Sequence, residues 1–298
     1  MIPDVHSSRD MSQVSLDGYD ETFKTVSALV HGIPEVETFW IFGSRAKGTS
    51  TDRSDLDLGF LVSKPTDCAL VESRLSTSLT CVREFVDFFS NSRFPLWHNE
   101  QGREVGVLVV DKRTFASRAS ASVASLTGYE ENSDFAQHKI INSSIVFDSE
   151  NWLKDLRNSV MVVPASITDA VCRKYLALLA QKLIWWELRP YWKGACHELE
   201  NTASVIEEIA KVHYALNQRF FMSGLKEYPR DLESLAPDLT DLIPQIGQVQ
   251  WTNRNPTEKQ YLIATAVRRL CKMYFGSARQ QQSDERWDYL RRLCAAKA

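Results

Sequence analysis

The sequence predicts a two-part chain, with an α/β domain (a small mixed sheet with helices) over residues 1–160 and an all-α helical bundle over residues 161–298. Two segments of strand character, residues 37–42 and 55–62, carry the first prediction, because a glycine turn and a short polar connection separate them. Apolar residues at helical spacing in almost every segment after Ser166 carry the second. The change of pattern sets the boundary between the two parts.

The predicted elements of the first part alternate between helix and strand. A helix over residues 18–30 places its apolar residues on one face, and the Gly/Pro cluster that follows ends it. The remaining elements are a helix over 67–80 and strands over 82–89, 104–110 and 140–147. This order is typical of a small sheet that is covered by helices.

The second part is predicted to consist of several antiparallel helices packed as a bundle. Four stretches place apolar residues on one helical face, namely residues 170–186, 205–216, 261–274 and 287–293.

The overall composition excludes some classes of protein. The chain has 298 residues, 44% of them hydrophobic, a formal net charge of -3 and a pI of about 6.1. A protein whose main task is to grip long nucleic acids is usually more basic. The first 20 residues are polar and no apolar run approaches membrane-spanning length, so we expect no membrane partner and a cytoplasmic location.

One local pattern points to chemistry. The strand 37–42 ends at Gly43-Ser44, and the next strand begins with Asp55-Leu56-Asp57. Two carboxylates at positions i and i+2 of a strand project from the same face. Mg²⁺ prefers a few carboxylate oxygens together with substrate phosphates, and two such ions can stabilise the attacking and leaving oxygens of an in-line displacement. A Gly-Ser turn offers backbone N–H groups and a hydroxyl to phosphate oxygens.

These residues resemble the signature of a known family. Gly43-Ser44 followed by Asp55-Leu56-Asp57 is similar to the motif of the DNA polymerase β-type nucleotidyltransferase superfamily, especially its bacterial minimal and antibiotic-modifying branches. The resemblance implies an enzyme that moves a nucleoside monophosphate from an NTP, with ATP expected, to an acceptor hydroxyl, using two Mg²⁺ ions and releasing pyrophosphate. The acceptor that it implies is a small molecule such as an aminoglycoside or lincosamide antibiotic.

The resemblance also implies a third carboxylate on a neighbouring strand. Asp87 lies between apolar residues in the predicted strand 82–89, where an acid is costly unless it is paired. Asp87 is therefore expected to bind one metal ion, and it could accept the proton of the attacking hydroxyl. Glu104, at the polar start of the next strand, is the alternative, and either acid could instead be a strand charge that reaches solvent.

Two basic residues are implied as nucleotide contacts by the same resemblance. Arg45 follows the glycine turn and could touch the triphosphate. Lys226 lies in a segment, residues 214–228, that resembles the helical domain of aminoglycoside and lincosamide nucleotidyltransferases, where a lysine faces the nucleotide. Lys226 would hold the triphosphate or the leaving pyrophosphate. The alternatives are a solvated arginine that opens a helix and an ordinary surface lysine.

Two other functions remain open at this point. The first keeps the chemistry and changes the acceptor to RNA or protein, as in a toxin-type enzyme that modifies tRNA. The second is a catalytically silent nucleotide-binding or interaction module, and the intact Ser44, Asp55 and Asp57 argue against it.

Overall fold

The computed structural model describes six stretches of the chain: residues 14–86, 93–188, 195–221, 228–249, 256–277 and 285–295. The chain divides into two compact units. The first unit consists of Met1–Ser122 and Asp134–Met161, and the second of Val123–Ser133 and Val162–Ala298.

The first unit is built on a six-stranded sheet. Its strands are β1 (Val36–Phe42), β2 (Leu56–Val62), β3 (Thr80–Val86), β4 (Arg93–His98), β5 (Glu104–Asp111) and β6 (Ser144–Asp148). In space they follow the order β3-β4-β5-β2-β1-β6. The pair β2 and β5 is parallel, and the other neighbouring pairs are antiparallel. The predicted mixed sheet is confirmed.

Helices connect these strands along the chain. They are α1 (Asp20–His31), α2 (Gly43–Lys47), α3 (Pro65–Leu75), α4 (Lys112–Ala124), α5 (Leu126–Phe135) and α6 (Trp152–Val160), and a π-helical turn, Ala136–Ile141, follows α5. The start of α6 has a clear local cause. The Asp148 carboxylate accepts hydrogen bonds from the backbone N–H groups of Trp152 and Leu153, at 3.1 and 2.9 Å, which satisfies donors that a helix start leaves open.

One face of the sheet forms the main hydrophobic core of the first unit with α1 and α3. Alternate residues of the two central strands, Phe39, Ile41, Leu58 and Phe60, are fully buried there. The rings of Phe39 and Phe60 stack with their centroids 4.9 Å apart. Because side chains alternate along a strand, the residues between these point to the opposite face.

The opposite face carries an aromatic layer that leads to the end of β1. Trp40 lies across Gly59 of the neighbouring strand, where a Cβ would overlap the indole, so glycine lets the ring lie flat on the sheet. Phe115 of α4 meets Trp40 edge-on at 5.3 Å, and Phe135 meets Phe115 at 4.8 Å. Phe42, at 6.4 Å from Trp40, completes the layer at the end of the strand.

The second unit is largely helical, as predicted. Its further helices are α7 (Ala165–Leu188), α8 (Ala195–Leu216), α9 (Tyr228–Asp231), α10 (Ile243–Val249), α11 (Pro256–Ser277) and α12 (Glu285–Ala295). The long helix α7 packs against α8, α11 and α12. Within the described ranges, none of the helices combines the length and the apolar character needed to cross a bilayer.

Tyr129 shows why the segment Val123–Ser133 belongs to the second unit. Its hydroxyl accepts a hydrogen bond from the backbone N–H of Phe221 at 3.0 Å and donates one to the carbonyl of Arg219 at 3.3 Å. Its ring stacks on Phe220 at 5.7 Å. The second unit therefore includes a segment that precedes residue 160, and the boundary at that residue stays a prediction.

One predicted strand is shorter than expected. The segment 140–147 was expected to be extended throughout, but Ile140 and Ile141 belong to the π-helical turn and β6 begins at Ser144. Ile140 is fully buried, so its apolar character reflects core packing in the turn and not a strand. A short apolar run has the same appearance in both conformations.

Several elements have no counterpart in the sequence prediction. Up to residue 160 they include β4 (Arg93–His98), α4 (Lys112–Ala124), α5 (Leu126–Phe135) and α6 (Trp152–Val160). Helix α4 is rich in alanine and serine, and α5 consists largely of polar residues, so both helices show only a weak apolar period. The last residues of the predicted strand 82–89 lie outside the described residues.

Candidate active site

The two motif aspartates lie where three strands meet. Asp55 immediately precedes β2, and Asp57 is its second residue. Asp57 pairs with Phe42, the last residue of β1, on one side and with Gly106 of β5 on the other. The end of one strand and the starts of two others therefore converge on the Asp57 carboxylate.

Two glycines make room for this carboxylate. A Cβ at Gly43 would overlap one carboxylate oxygen of Asp57, and a Cβ at Gly106 would overlap the other. Gly43 also has a φ of +74°, a backbone conformation that side chains other than glycine disfavour. The Asp57 carboxylate is thus held between two stretches of main chain that carry no side chain.

Ser44 follows this glycine in the short helix α2. It is partly buried, and its carbonyl accepts a hydrogen bond from the backbone N–H of Thr49 at 2.9 Å. The helix ends at Gly48, whose φ of +70° is the usual left-handed helix end. The predicted turn-and-helix geometry after β1 is therefore present around Gly43 and Ser44.

Arg45 is buried and donates all of its described hydrogen bonds to main-chain carbonyls. It is 1% exposed, and its guanidinium donates to the main-chain carbonyls of Asp55 at 2.9 Å, Ser54 at 2.7 Å and Ser15 at 3.0 Å. The guanidinium also lies over the ring of Tyr19, 4.5 Å from its centroid. The resemblance implies a phosphate contact for this arginine, whereas the structure directs it to the backbone that carries the first aspartate.

Tyr19 connects this arginine to the start of β5. Its hydroxyl donates to the carbonyl of Glu104 at 2.9 Å, and the guanidinium of Arg103 lies 5.6 Å from its ring centroid. Burial raises the pKa of the Tyr19 hydroxyl above its ordinary value, so the group remains a hydrogen-bond donor at neutral pH. The backbone at Asp55 and at Glu104 is therefore tied to one buried cluster.

The position of the third acid depends on the strand register. Asp87 lies outside the described residues. Glu104 stands two residues before Gly106, the partner of Asp57, so it shares a sheet face with Asp57 and its side chain is exposed. His98 of β4 pairs with Glu104 and also with Thr80, the first residue of β3, which places the start of β3 at the Glu104 end of the sheet.

Lys139 is a nearby cation that the sequence did not reveal. It lies in the π-helical turn, and its ammonium is 3.6 Å from the ring centroid of Phe42. Burial lowers the pKa of Lys139 below its ordinary value, while the negative charges of Asp57 and Asp55 act in the opposite direction. No local motif marks this lysine, because it comes to the site from a distant part of the chain.

The donor set suits Mg²⁺ bound together with a nucleotide. Among the described residues, no three His, Cys, Asp or Glu side chains form a ready-made metal cluster. Mg²⁺ commonly uses only one or two carboxylates and takes its other ligands from phosphates and water. Asp55 and Asp57 provide such a pair. Lys226, the expected phosphate ligand from the helical half, lies outside the described residues.

Residues 24–111 match the model of the family described as polymerase beta, nucleotidyltransferase. This range contains the Gly43-Ser44 turn, both aspartates and Glu104. No curated protein sequence shows significant similarity to the chain.

Several solved structures show a remote likeness. A nucleotidyltransferase-like protein from Exiguobacterium sibiricum 255-15 has a TM-score of 0.39 and 12% identity, over 92% of this chain and 88% of that one. A STING-associated CdnE c-di-GMP synthase from Capnocytophaga granulosa has a TM-score of 0.29 and 13% identity, over 87% and 80%. The Bradyrhizobium diazoefficiens CD-NTase CdnG, in complex with GTP, has a TM-score of 0.23 and 11% identity, over 92% and 90%.

Likenesses this remote say nothing further about the activity of this chain. The match over residues 24–111 and the mixed sheet around Asp55 and Asp57 support a nucleotidyltransferase domain of the polymerase β superfamily in the first unit.

Proposed function

We propose that the protein is a metal-dependent nucleotidyltransferase that moves a nucleoside monophosphate from an NTP to an acceptor hydroxyl. One observation carries the proposal: the Asp57 carboxylate, two residues after Asp55, lies between the glycine backbones of Gly43 and Gly106. A carboxylate that only faced solvent would not require glycine in both of the neighbouring stretches of main chain. The match of residues 24–111 to the nucleotidyltransferase model supports the same assignment.

Asp55 and Asp57 would hold the Mg²⁺ ions. When bound, the metal supplies charge stabilisation for the phosphates and for the attacking and leaving oxygens. The cradle around Asp57 restricts the rotation of its carboxylate before any ligand arrives, so little ordering is left to be done on binding. Gly43 lies beside this carboxylate, and Gly43 and Ser44 would contact the terminal phosphates with backbone N–H groups and the hydroxyl.

Arg45 would act through the main chain. By holding the carbonyls of Ser54 and Asp55, it sets the position from which the Asp55 carboxylate projects. The guanidinium is buried, so we propose that Arg45 positions the first aspartate and does not contact the nucleotide.

In the reaction, the acceptor oxygen attacks the α-phosphorus in line with the bond to the β-phosphate. A new P–O bond forms as the old one breaks, and pyrophosphate leaves with the electron pair of the broken bond. The hydroxyl proton passes to a carboxylate base. We propose that Glu104 is this base, with Asp87 as the alternative. The register of β2 and β5 supports Glu104, because it shares the sheet face of Asp57 near the same end of the two strands.

The donor and acceptor are finer parts of the proposal. ATP is the donor, and a hydroxyl of a small molecule such as an aminoglycoside or a lincosamide is the acceptor, both on the resemblance of the Gly43-to-Asp57 segment. Lys226 of the helical half would contact the triphosphate or the leaving pyrophosphate. These assignments rest on the sequence motif and on the low net charge of the chain.

The direct test measures labelled product and pyrophosphate release. The protein is incubated with α-labelled ATP or GTP, Mg²⁺ and a panel of aminoglycosides, lincosamides, tRNA and cell-extract protein. We expect Mg²⁺-dependent label on one acceptor class, and label on tRNA or protein alone would overturn the small-molecule acceptor.

The matched variants are Asp57→Asn and Asp52→Asn. Asp57→Asn keeps the shape of the side chain and removes the charge that a metal needs, so transfer should fall by at least about a hundredfold. Asp52 is exposed on the connection between α2 and β2, so Asp52→Asn should keep full activity. Equal activity of the two variants would overturn the proposed site.

A further inference from the structure

Lys139 stands outside the family motif and outside every role assigned above. It is partly buried, and its ammonium lies over the Phe42 ring at 3.6 Å. Among the described residues, no hydrogen bond or ion pair to this ammonium is present. A cation–π contact stabilises the charge but leaves the three N–H donors of a lysine without acceptors.

The strand register places this ammonium on the catalytic face. Phe42 pairs with Asp57, and residues opposite each other on neighbouring strands project from the same face. The ring that carries the Lys139 ammonium is therefore the immediate neighbour of the Asp57 carboxylate. The electrostatic influence of Asp57 and Asp55 on Lys139 agrees with this placement.

The turn that presents Lys139 is firmly anchored. Ile140 is fully buried, and its carbonyl accepts a hydrogen bond from Nε of Arg157 at 3.0 Å. The same guanidinium donates to the carbonyl of Ser143 at 2.9 Å, just beyond the turn. π-Helical turns are rare and are frequently found at functional sites. The anchoring fixes the backbone of the turn from which Lys139 reaches the Phe42 ring at the end of β1.

We propose that Lys139 binds the phosphate chain of the nucleotide and stabilises the negative charge of the leaving pyrophosphate. This inference deepens the proposed function and rests on it. A metal–triphosphate complex held by Asp55 and Asp57 brings phosphate oxygens to the same edge, and these oxygens are the acceptors that the ammonium lacks. The positive charge of Lys139 belongs to the first unit and is independent of Lys226.

A different role for Lys139 leads to a different result. If it were only a counter-ion of the two aspartates, its removal would strengthen metal binding and would leave nucleotide affinity unchanged or increased. If it binds phosphate, its removal weakens triphosphate binding and leaves binding of the monophosphate, which lacks the pyrophosphate part, nearly unchanged.

The experiment compares the full-length wild type with Lys139→Met, Lys139→Arg and the control Lys24→Met. Calorimetry measures the binding of the α,β-methylene analogues of ATP and GTP, and of AMP and GMP, in the presence of Mg²⁺, and Mn²⁺ titration measures metal binding alone. Lys24 is a suitable control because its side chain is 69% exposed and pairs with Glu21 on α1. Thermal melting checks that each variant is folded.

We expect Lys139→Met to weaken the binding of the triphosphate analogue by about tenfold, to leave the monophosphate within about twofold, and to leave metal binding equal or tighter. Lys139→Arg should restore most of the loss, and Lys24→Met should match the wild type. Unchanged triphosphate affinity in folded Lys139→Met would overturn this inference and leave the proposed function standing. A wild type that binds neither analogue would overturn both.

Discussion

Arg45 donates from Nε to the main-chain carbonyl of Asp55 at 2.9 Å, so a buried cation holds the backbone from which the first motif carboxylate projects. A guanidinium can serve several carbonyls in one plane, which an ammonium cannot do with the same geometry. The sequence motif thus combines the proposed metal-binding acid Asp55 with an arginine that holds its main chain.

Replacement of Arg45 should therefore affect both stability and metal dependence. Arg45→Lys is expected to lower the free energy of unfolding by about 2 kcal/mol, because buried carbonyls lose their donors. It should also raise the Mg²⁺ concentration needed for half-maximal transfer. Urea unfolding and Mg²⁺ titration of the transfer reaction measure the two effects. Arg53→Lys, an exposed change on the same connection, is the control, and an unchanged Mg²⁺ requirement in Arg45→Lys would contradict the positioning role.

Gly43 and Gly102 offer a matched pair of glycine substitutions. Both have positive φ, +74° and +72°, so an alanine at either costs roughly 1–2 kcal/mol of backbone strain. A Cβ at Gly43 also collides with the Asp57 carboxylate, whereas a Cβ at Gly102 meets nothing within 4 Å.

Gly43→Ala and Gly102→Ala should therefore carry the same backbone strain and differ in activity, with the collision adding to the cost of Gly43→Ala alone. We expect Gly43→Ala to reduce transfer by about a hundredfold, as a displacement of about an ångström at a reacting centre can do. Gly102→Ala should remain close to wild type when assayed well below its melting temperature. Equal activities of the two variants would show that the close approach to Asp57 has no catalytic role.

The assignment of the third carboxylate is tested with Glu104→Gln and Asp87→Asn. Glu104 is exposed, so the neutral variant should cost little stability, and we expect transfer to fall by about a hundredfold or more because a metal ligand or proton acceptor is lost. Asp87→Asn should keep most of the activity. The reverse pattern, measured as initial rates of pyrophosphate release, would return the role to Asp87.

His213 should make the second unit sensitive to acid. It is fully buried, its Nδ1 is 3.0 Å from the Tyr228 hydroxyl, and burial lowers its pKa from 6.5 to about 4. The folded state therefore keeps this imidazole neutral, while the unfolded chain takes up a proton as the pH falls through 6.5. The resulting stability is fully present above pH 6.5 and is lost progressively down to about pH 4, at about 1.4 kcal/mol per unit of pKa difference.

The measurement is the free energy of unfolding in urea at pH 7, 6 and 5 for the wild type, His213→Gln and His31→Gln. His213→Gln should be less stable at pH 7 and should lose the part of the pH dependence that this imidazole causes. His31 is exposed, so His31→Gln should follow the wild-type pH dependence. A wild type and a His213→Gln variant with parallel pH profiles would contradict this assignment.

The predictable parts of the site are local in sequence. Gly43 directly follows β1, and Asp55 and Asp57 lie at the start of β2, the next strand along the chain. The alternation of side chains predicts that the two carboxylates project from the same face. The mixed α/β character of the first unit and the helical nature of the second follow from hydrophobic periodicity.

The parts that were missed depend on distant pairings. Only the parallel register of β2 and β5 shows that Gly106 faces Asp57 and that Glu104 shares its face. Lys139 comes to the Phe42 ring through a π-helical turn, which has no sequence period of its own. The charge of Arg45 is visible in the sequence, but its three main-chain acceptors are not, and these decide that it is buried.

The hydrogen bonds of Tyr129 have a practical consequence for dividing the gene. A polypeptide that stops after Met161 would contain Tyr129 but would lack the Phe221 amide that donates to its hydroxyl and the Phe220 ring that stacks on it. Such a fragment would expose the ring of Tyr129, which is buried in the intact protein, and we expect the fragment to aggregate. The complementary fragment would lack one of its own helices, so the two halves should become soluble together only when they are co-expressed.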